Sequence, residues 1–280
     1  MLGYTRQALY KKQQRTKQNL IEADLVLHEV KQIRKEQTRL GTRKVYDLIK
    51  PEVDKHNIKL GRDAFFDLLR EFGMLVKPLR SRHYSTNSQH RFYKYPNLIR
   101  GYNPGAANQL WVSDITHIEV DGKFMYLFLI TDAYSRKIVG WNFSQSYSTQ
   151  GALNALKMAL SENKKIKRLI HHSDRGVQYC CKEYTALLKS KKIKISMTEN
   201  SDPYENAIAE RVNGILKIEY LKKRYEEQIS ARKDVSKAIY LYNNKRPHLS
   251  IGMKMPSYIH QHSCNVKNLW KRKEEQKKRA

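Results

Sequence analysis

Acidic side chains are in short supply in this chain. Its 27 Asp and Glu stand against 54 Lys and Arg in 280 residues, a formal net charge of +27. A protein keeps such an excess when its partner carries the opposite sign. Nucleic acid is the commonest such partner, because each phosphate neutralised releases a counterion. A ribosomal or merely soluble basic protein would share the charge, but such proteins are usually shorter and lack a set of catalytic carboxylates. Cysteine is scarcer still. Cys180 and Cys181 are adjacent and cannot chelate as a CxxC pair does, and Cys264 stands alone. That excludes a disulfide framework and a zinc site. Long hydrophobic runs are also missing. The longest, Phe124 to Ile130, is strand-length and far too short to cross a bilayer, and no secretory segment opens the chain. The expectation is a protein of the cell interior, away from any membrane.

What is present is enough for a catalytic core of ordinary size with accessory segments, since 40% of the residues are hydrophobic. The first 75 residues read as helical. Thr5 to about Gln18 reads as a short basic helix with Thr5 as its cap. A second helix spans Asn19 to Gln37, with Leu20, Ala23, Leu27, Val30 and Ile33 on one face. Thr42 to His56 and Gly61 to Phe72 repeat the pattern, with Gly41, Asn57–Gly61 and Gly73 as breaks. The last two helices and their short turn are similar to a helix-turn-helix, in which Arg43, Lys44 and Arg62 could meet phosphates. An ordinary bundle with solvated lysines would show the same pattern. Residues 76–108 read as a basic linker, the stretch Ser81–Ser88 above all.

From Leu110 the period changes. Leu110–Glu119, Lys123–Thr131 and Lys137–Ser144 read as strands, with Asp121-Gly122 as a hairpin turn. A helix over Thr149–Ser161, a strand over Arg168–His172, a helix over Cys181–Lys189, a strand over Ile193–Ser196 and a long helix over Tyr204–Tyr220 follow. This order predicts an α/β domain over 109–225: a ribonuclease-H-like, mixed five-stranded sheet with flanking helices, preceded by the helical helix-turn-helix region. Residues 226–280 are left as a C-terminal helical segment, with a basic tail from Lys267 to Arg279 suited to non-specific phosphate binding.

Asp114 sits among apolar and β-branched neighbours inside the first strand, where an acid is costly unless something offsets it. Asp174 lies just beyond a short strand, and Glu210 lies on the long helix. If the first and fourth strands are neighbours, the three carboxylates converge. They would repel one another, and divalent cations resolve this. Two such ions, Mg²⁺ with Mn²⁺ as a substitute, could activate the attacking oxygen and stabilise the leaving one at a phosphodiester. Most other acids, among them Asp121, Asp132, Glu162, Glu183, Asp202, Glu205 and Glu219, read as solvated or paired with lysine. Lys217 lies two helical turns past Glu210 on the same face, and Asn206 and Asn213 share it. The lysine could touch a phosphate, and either asparagine could orient a carboxylate or touch DNA. His172 reads as a packed residue. Tyr240, Tyr242, Arg246 and His248 mix aromatic and basic groups, which suits sugar–phosphate contacts, although packing onto the core explains the tyrosines equally well.

Several motifs then match one family in order. His172-Ser173-Asp174-Arg175-Gly176-Val177-Gln178-Tyr179 resembles the HSDxGxQY motif of the IS-three family of bacterial insertion-sequence transposases. Asp174 and Glu210 are separated by 35 residues, the family's D-35-E spacing, shared with retroviral integrases. Trp111-x-x-Asp114-x-Thr116 resembles its first motif, and Lys217 stands where the family carries a basic residue. Tyr242-Asn243-x-x-Arg246-Pro247-His248 with Pro256 resembles its C-terminal signature, and Leu2-Gly3-x-Thr5-Arg6-Gln7-Ala8 its helix-turn-helix region. Departures are confined to the segment before the catalytic helix, Ser201-Asp202-Pro203 and Glu205-Asn206.

The resemblance implies the second open-reading-frame (OrfB) product, a DDE recombinase with Asp114, Asp174 and Glu210 as catalytic metal ligands. It implies double-stranded DNA as substrate, both the terminal inverted repeats of an element and target DNA. It further implies a homo-oligomer on DNA, fusion by frameshifting to an upstream product, and a place in the bacterial cytoplasm at the nucleoid. The expected reaction is strand cleavage followed by attack of the freed 3′-hydroxyl. A same-fold endonuclease that does not join strands, and a non-catalytic DNA-binding regulator, are the alternatives.

Overall fold

The computed structural model describes residues 6–77, 91–163, 166, 168–199 and 206–262. The expected Thr5 cap, the Leu2–Thr5 part of the N-terminal motif, the Ser81–Ser88 linker, Ser201–Glu205, Cys264 and the tail from Lys267 lie outside them. The chain forms two compact units, Met1–Leu79 and Arg80–Ala280.

The first unit is three helices: α1 (Arg6–Glu36), α2 (Thr42–Lys55) and α3 (Arg62–Glu71). The two helices expected before Gln37 are one, 31 residues long. Neither Gly nor Pro interrupts Arg6–Glu36, and a lone Asn19 is too weak a breaker to end a helix whose flanks favour it. Among its described side chains, those that reach the core lie in its C-terminal half. Val26, Leu27 and Val30 pack with Leu40, Val45, Ile49, Val53, Phe65 and Leu69, whereas Leu20, expected on the buried face, is exposed. Gly73, at φ +62°, ends α3. Its neighbour's N–H, at Met74, reaches back to the Leu69 carbonyl and closes the last turn.

In the second unit the strands β1 (Leu110–Val120), β2 (Lys123–Asp132), β3 (Ile138–Ser144), β4 (Ile170–Ser173) and β5 (Lys194–Met197) form one sheet in the order β3-β2-β1-β4-β5. The first three are antiparallel and the last two run parallel to β1. This is the ribonuclease-H-like, mixed five-stranded arrangement. A sixth strand, β6 (Arg224–Tyr225), adds two residues beside the end of β1. Asp121 and Gly122 both adopt positive φ, +49° and +66°, as a two-residue hairpin between β1 and β2 requires.

Helices cover both faces. On one side lie α4 (Thr149–Glu162), the short α5 (Val177–Cys180) and α6 (Lys182–Ser190). They bury Trp111, Phe128, Ile130, Leu156, Tyr184 and Leu188. Helix α4 sits unusually close because two glycines leave room. A Cβ on Gly140 would lie 2.3 Å from the Ala155 carbonyl oxygen, and one on Gly151 2.3 Å from the Phe128 ring.

The other face carries α7 (Ala207–Ile215) and α8 (Gln228–Asn244), with Ile118, Leu127, Leu129, Val212, Leu216, Val235 and Tyr242 between helices and sheet. Residues 226–262, set apart in the sequence reading, thus share this core; α9 (Pro256–Gln261) packs against α8. The helix expected to run to Tyr220 is α-helical only to Ile215 and continues as a π-helical turn, Leu216–Tyr220, closed by Leu221 N–H to the Leu216 carbonyl.

Two of the acids read as solvated or paired with lysine are neither. Asp132 is fully buried, with one oxygen on the Ser135 N–H and hydroxyl and the other on the Asn108 N–H. It clamps the β2–β3 turn against the entry to β1. Glu219 pairs with Arg246. No helix among the described residues is long and apolar enough to cross a membrane.

Candidate active site

The sheet brings the two aspartates together. Strand pairing sets Val112 opposite His172, so Asp114 and Asp174, each two residues further on, leave β1 and the tip of β4 side by side. Even-numbered residues of β1 face α7, and Asp114 with them. Its Oδ2 accepts a 2.7 Å hydrogen bond from Asn213 Nδ2 on α7, and its Oδ1 accepts from the Ile115 N–H at 2.9 Å. Asp174 Oδ1 accepts from the Gly176 N–H at 3.0 Å. Glu210 lies in the first turn of α7, one helical turn before Asn213, and is exposed.

Electrostatics link the three. Burial raises the Asp114 carboxyl from its ordinary 3.8 to about 7, and the charge of Asp174 adds to it. The bonds from Asn213 and Ile115 oppose the rise, and Glu210 contributes a smaller push upward. Lys217 feels the charge of the same carboxyl. Burial lowers its pKa, and the Asp114 charge pulls it back.

Among the described residues, no three His, Cys, Asp or Glu side chains close on one point tightly enough to grip an ion together. The donor set nevertheless fits a hard divalent cation. It comprises two adjacent carboxylates, a third on the facing helix, and Asn213 Oδ1, a buried acceptor that no donor reaches.

The residues beside each aspartate are locked. Ser113 Oγ lies 2.7 Å from His171 Nε2, which also meets the Tyr184 hydroxyl at 2.9 Å. Burial, then the charge of His172, lowers the His171 pKa to about 3, so the ring is neutral. The Ser113 carbonyl accepts from Asn206 Nδ2 at 3.1 Å, just before α7. His172 is fully buried with Nδ1 2.8 Å from Ser196 Oγ, which itself accepts from the Leu98 N–H. Both strands that present an aspartate are therefore fixed from behind.

Sequence reasoning missed two neighbours. Gln178 is buried, and its Nε2 donates to the Tyr147 carbonyl at 2.8 Å. Tyr147 stands in the β3–α4 connection, and the charges of Asp174 and Asp114 both act on its phenol. Gln178 could have been found from the HSDxGxQY match. Tyr147 carries no local signal.

The candidate DNA contacts divide. Arg43 and Arg62 are exposed on the first unit, Arg62 paired with Asp63 at 2.9 Å, and Lys44 is half-buried. Lys217 is half-buried, and His248 lies 3.0 Å from Ser250 Oγ. Asn213 is buried with its amide on Asp114, which makes it a carboxylate holder. Arg246 is a correction. It is 2% exposed, and its guanidinium forks onto both Glu219 oxygens at 2.7 Å each, so it has no surface to offer a phosphate.

The chain is similar to known proteins along most of its length. Two sequence models of the integrase core domain match residues 104–203 and 191–256. The insertion element IS600 uncharacterized 31 kDa protein of Shigella sonnei is 33% identical over 220 residues, 78% of this chain and 79% of that one. The transposase InsF for insertion sequence IS3A of Escherichia coli K12 is 31% identical over 182 residues, 65% of this chain and 62% of that one. A putative transposase for insertion sequence element IS986/IS6110 of Mycobacterium tuberculosis is 35% identical over 128 residues, 44% of this chain and 46% of that one. Among solved structures, the HTLV-2 integrase catalytic core domain in complex with magnesium superposes with a TM-score of 0.44 at 19% identity, covering 55% of this chain and 97% of that one. With the acidic residues set on a ribonuclease-H-like sheet and these relatives at hand, the chain belongs to the IS-three (IS3) family of insertion-sequence transposases, DDE polynucleotidyl transferases with an integrase-type core.

Proposed function

We propose that Asp114, Asp174 and Glu210 are the catalytic metal ligands with which this transposase cuts a DNA strand at the end of its element and joins the freed 3′-hydroxyl to a new phosphodiester. The observation that carries the reading is the register of the adjacent parallel strands β1 and β4, with Asp114 on β1 and Asp174 one residue past the end of β4, and the helix of Glu210 bonded to Asp114 through Asn213. Two Mg²⁺ ions, replaceable by Mn²⁺, would neutralise charge on the attacking and leaving oxygens of an in-line displacement.

The chain's own part is to position. Asn213 holds Asp114 in one rotamer, and the Gly176 N–H does the same for Asp174. Lys217 sets a cation beside Asp114, where a substrate phosphate would meet it. Arg43, Lys44 and Arg62 on the first unit are the further phosphate contacts, with His248 on the second. The DNA is double-stranded, both terminal inverted repeat and target. A homo-oligomer on DNA at the bacterial nucleoid, formed from a frameshift fusion with an upstream product, completes the proposal. The basic charge, which draws the chain to DNA independently of sequence, supports it.

The test uses a labelled terminal-repeat duplex with target DNA in Mg²⁺. Glu210→Gln is expected to lose cleavage and joining by more than the roughly 10–100-fold that loss of an outer-sphere partner costs, with DNA binding kept. Unchanged cleavage removes Glu210 from the centre. Cutting without any joined product would favour the endonuclease, and metal-independent binding without cutting the regulator.

A further inference from the structure

We infer that Tyr147 is a substrate-contacting residue, an exposed aromatic platform beside the carboxylate pair on which a nucleobase next to the reacting phosphodiester stacks. The inference rests on the assignment of Asp114 and Asp174 to the reaction centre.

Tyr147 is tied to that centre by a short series of contacts. Asp174 Oδ1 takes the Gly176 N–H at 3.0 Å. A Cβ at Gly176 would lie 3.0 Å from that oxygen and 3.3 Å from Gln178 Oε1, so the turn is packed closely on both side chains. The other end of the Gln178 amide then holds the Tyr147 carbonyl at 2.8 Å. The ring is braced by Tyr126, centroid to centroid 4.8 Å at 46°. Despite this support Tyr147 remains 45% exposed.

An aromatic side chain held by its backbone and by a neighbouring ring, but open to solvent beside two carboxylates, is poorly used as core. It is well placed for a base, since every base has a π-face and stacking tolerates any sequence. The same geometry argues against covalent work by the phenol. Burial, then the charges of Asp174 and Asp114, raises its pKa, which keeps the hydroxyl protonated and weakly nucleophilic.

The test uses the full-length chain and a terminal-repeat duplex with 2-aminopurine placed in turn at each nucleotide flanking the cut, read in Ca²⁺ so that the signal does not require cleavage. Wild type and Tyr147→Phe are expected to quench fluorescence at one or two positions. Tyr147→Leu, which keeps bulk against Tyr126, is expected to lose the quench. In Mg²⁺ its KM for the duplex should rise about tenfold while kcat changes less than about threefold, and Phe should restore both. Two results overturn the inference: Leu quenching like wild type at every position, or Phe as impaired as Leu, which would assign the role to the hydroxyl. The two readings fail separately. Glu210→Gln should lose products and keep the quench, whereas Tyr147→Leu should lose the quench.

Discussion

At the scale of single residues, Asp114 is the group whose chemistry is most displaced, and the displacement has a sign. Its carboxyl titrates at 3.8 when ordinary and at about 7 here, so the folded protein holds a proton that the unfolded chain has already released. Stability present below the unfolded value is therefore lost as pH rises from about 4 through about 7, in the absence of a cation. Without divalent ion, the melting temperature should fall between pH 5 and pH 8, and Asp114→Asn should flatten that fall. Added Mg²⁺ or Mn²⁺ should stabilise the wild type more at pH 8 than at pH 5, because ligation needs the ionised form. Calorimetry at the two pH values checks this; equal stabilisation at both would remove Asp114 as a ligand. Arg246 supplies a second prediction. Arg246→Met takes a buried, doubly bonded guanidinium away from the Glu219 carboxylate and should cost about 3–5 kcal/mol. Urea unfolding measures it, and Glu219→Gln combined with Arg246→Met should recover part of the loss.

At the scale of elements, the strands and most helices were legible because their apolar residues keep a period, and the Asp121-Gly122 hairpin because two positive φ values have few sequence solutions. What escaped depends on partners distant in sequence. Ser135 is local to Asp132, but nothing there announces that the Asn108 N–H will take its other oxygen, nor does anything at Glu219 announce Arg246. The π-helical turn at Leu216–Tyr220 keeps the apolar spacing of a helix, so its extra residue per turn does not show in the pattern. Aspartates 114 and 174 could be nominated from strand context, but their register could not. The seating of α4 yields a prediction at this scale. Gly151→Ala must displace the Phe128 ring, and Gly140→Ala must push back the Ala155 carbonyl, which is backbone and yields at greater cost. Overpacking of this kind typically costs about 1–3 kcal/mol. The Gly140 variant should lie at or above the top of that range in thermal unfolding, and the Gly151 variant below it.

At the scale of the whole molecule, an excess of 27 positive charges serves a polyanion wherever it lies, with specificity left to geometry. Binding to a random duplex should therefore weaken steeply with salt, the logarithm of affinity falling about 0.9 per phosphate contacted against the logarithm of salt concentration. A slope near zero would contradict the phosphate reading. The two compact units invite a cut between them. The fragment 80–280 contains every member of the candidate centre. It should retain metal-dependent nicking of plasmid DNA while its salt slope shrinks by the contacts that Arg43, Lys44 and Arg62 provide.

The buried Glu219–Arg246 fork has a bearing on damaged copies of the gene. It fastens the chain beyond α8 to the very turn that bears Lys217. A stop codon anywhere between 226 and 245 would spare all three acids and every strand of the sheet. It would nonetheless strip that turn of its guanidinium anchor. Such a shortened product would keep the family's acidic signature intact on paper and still be unfit for transposition.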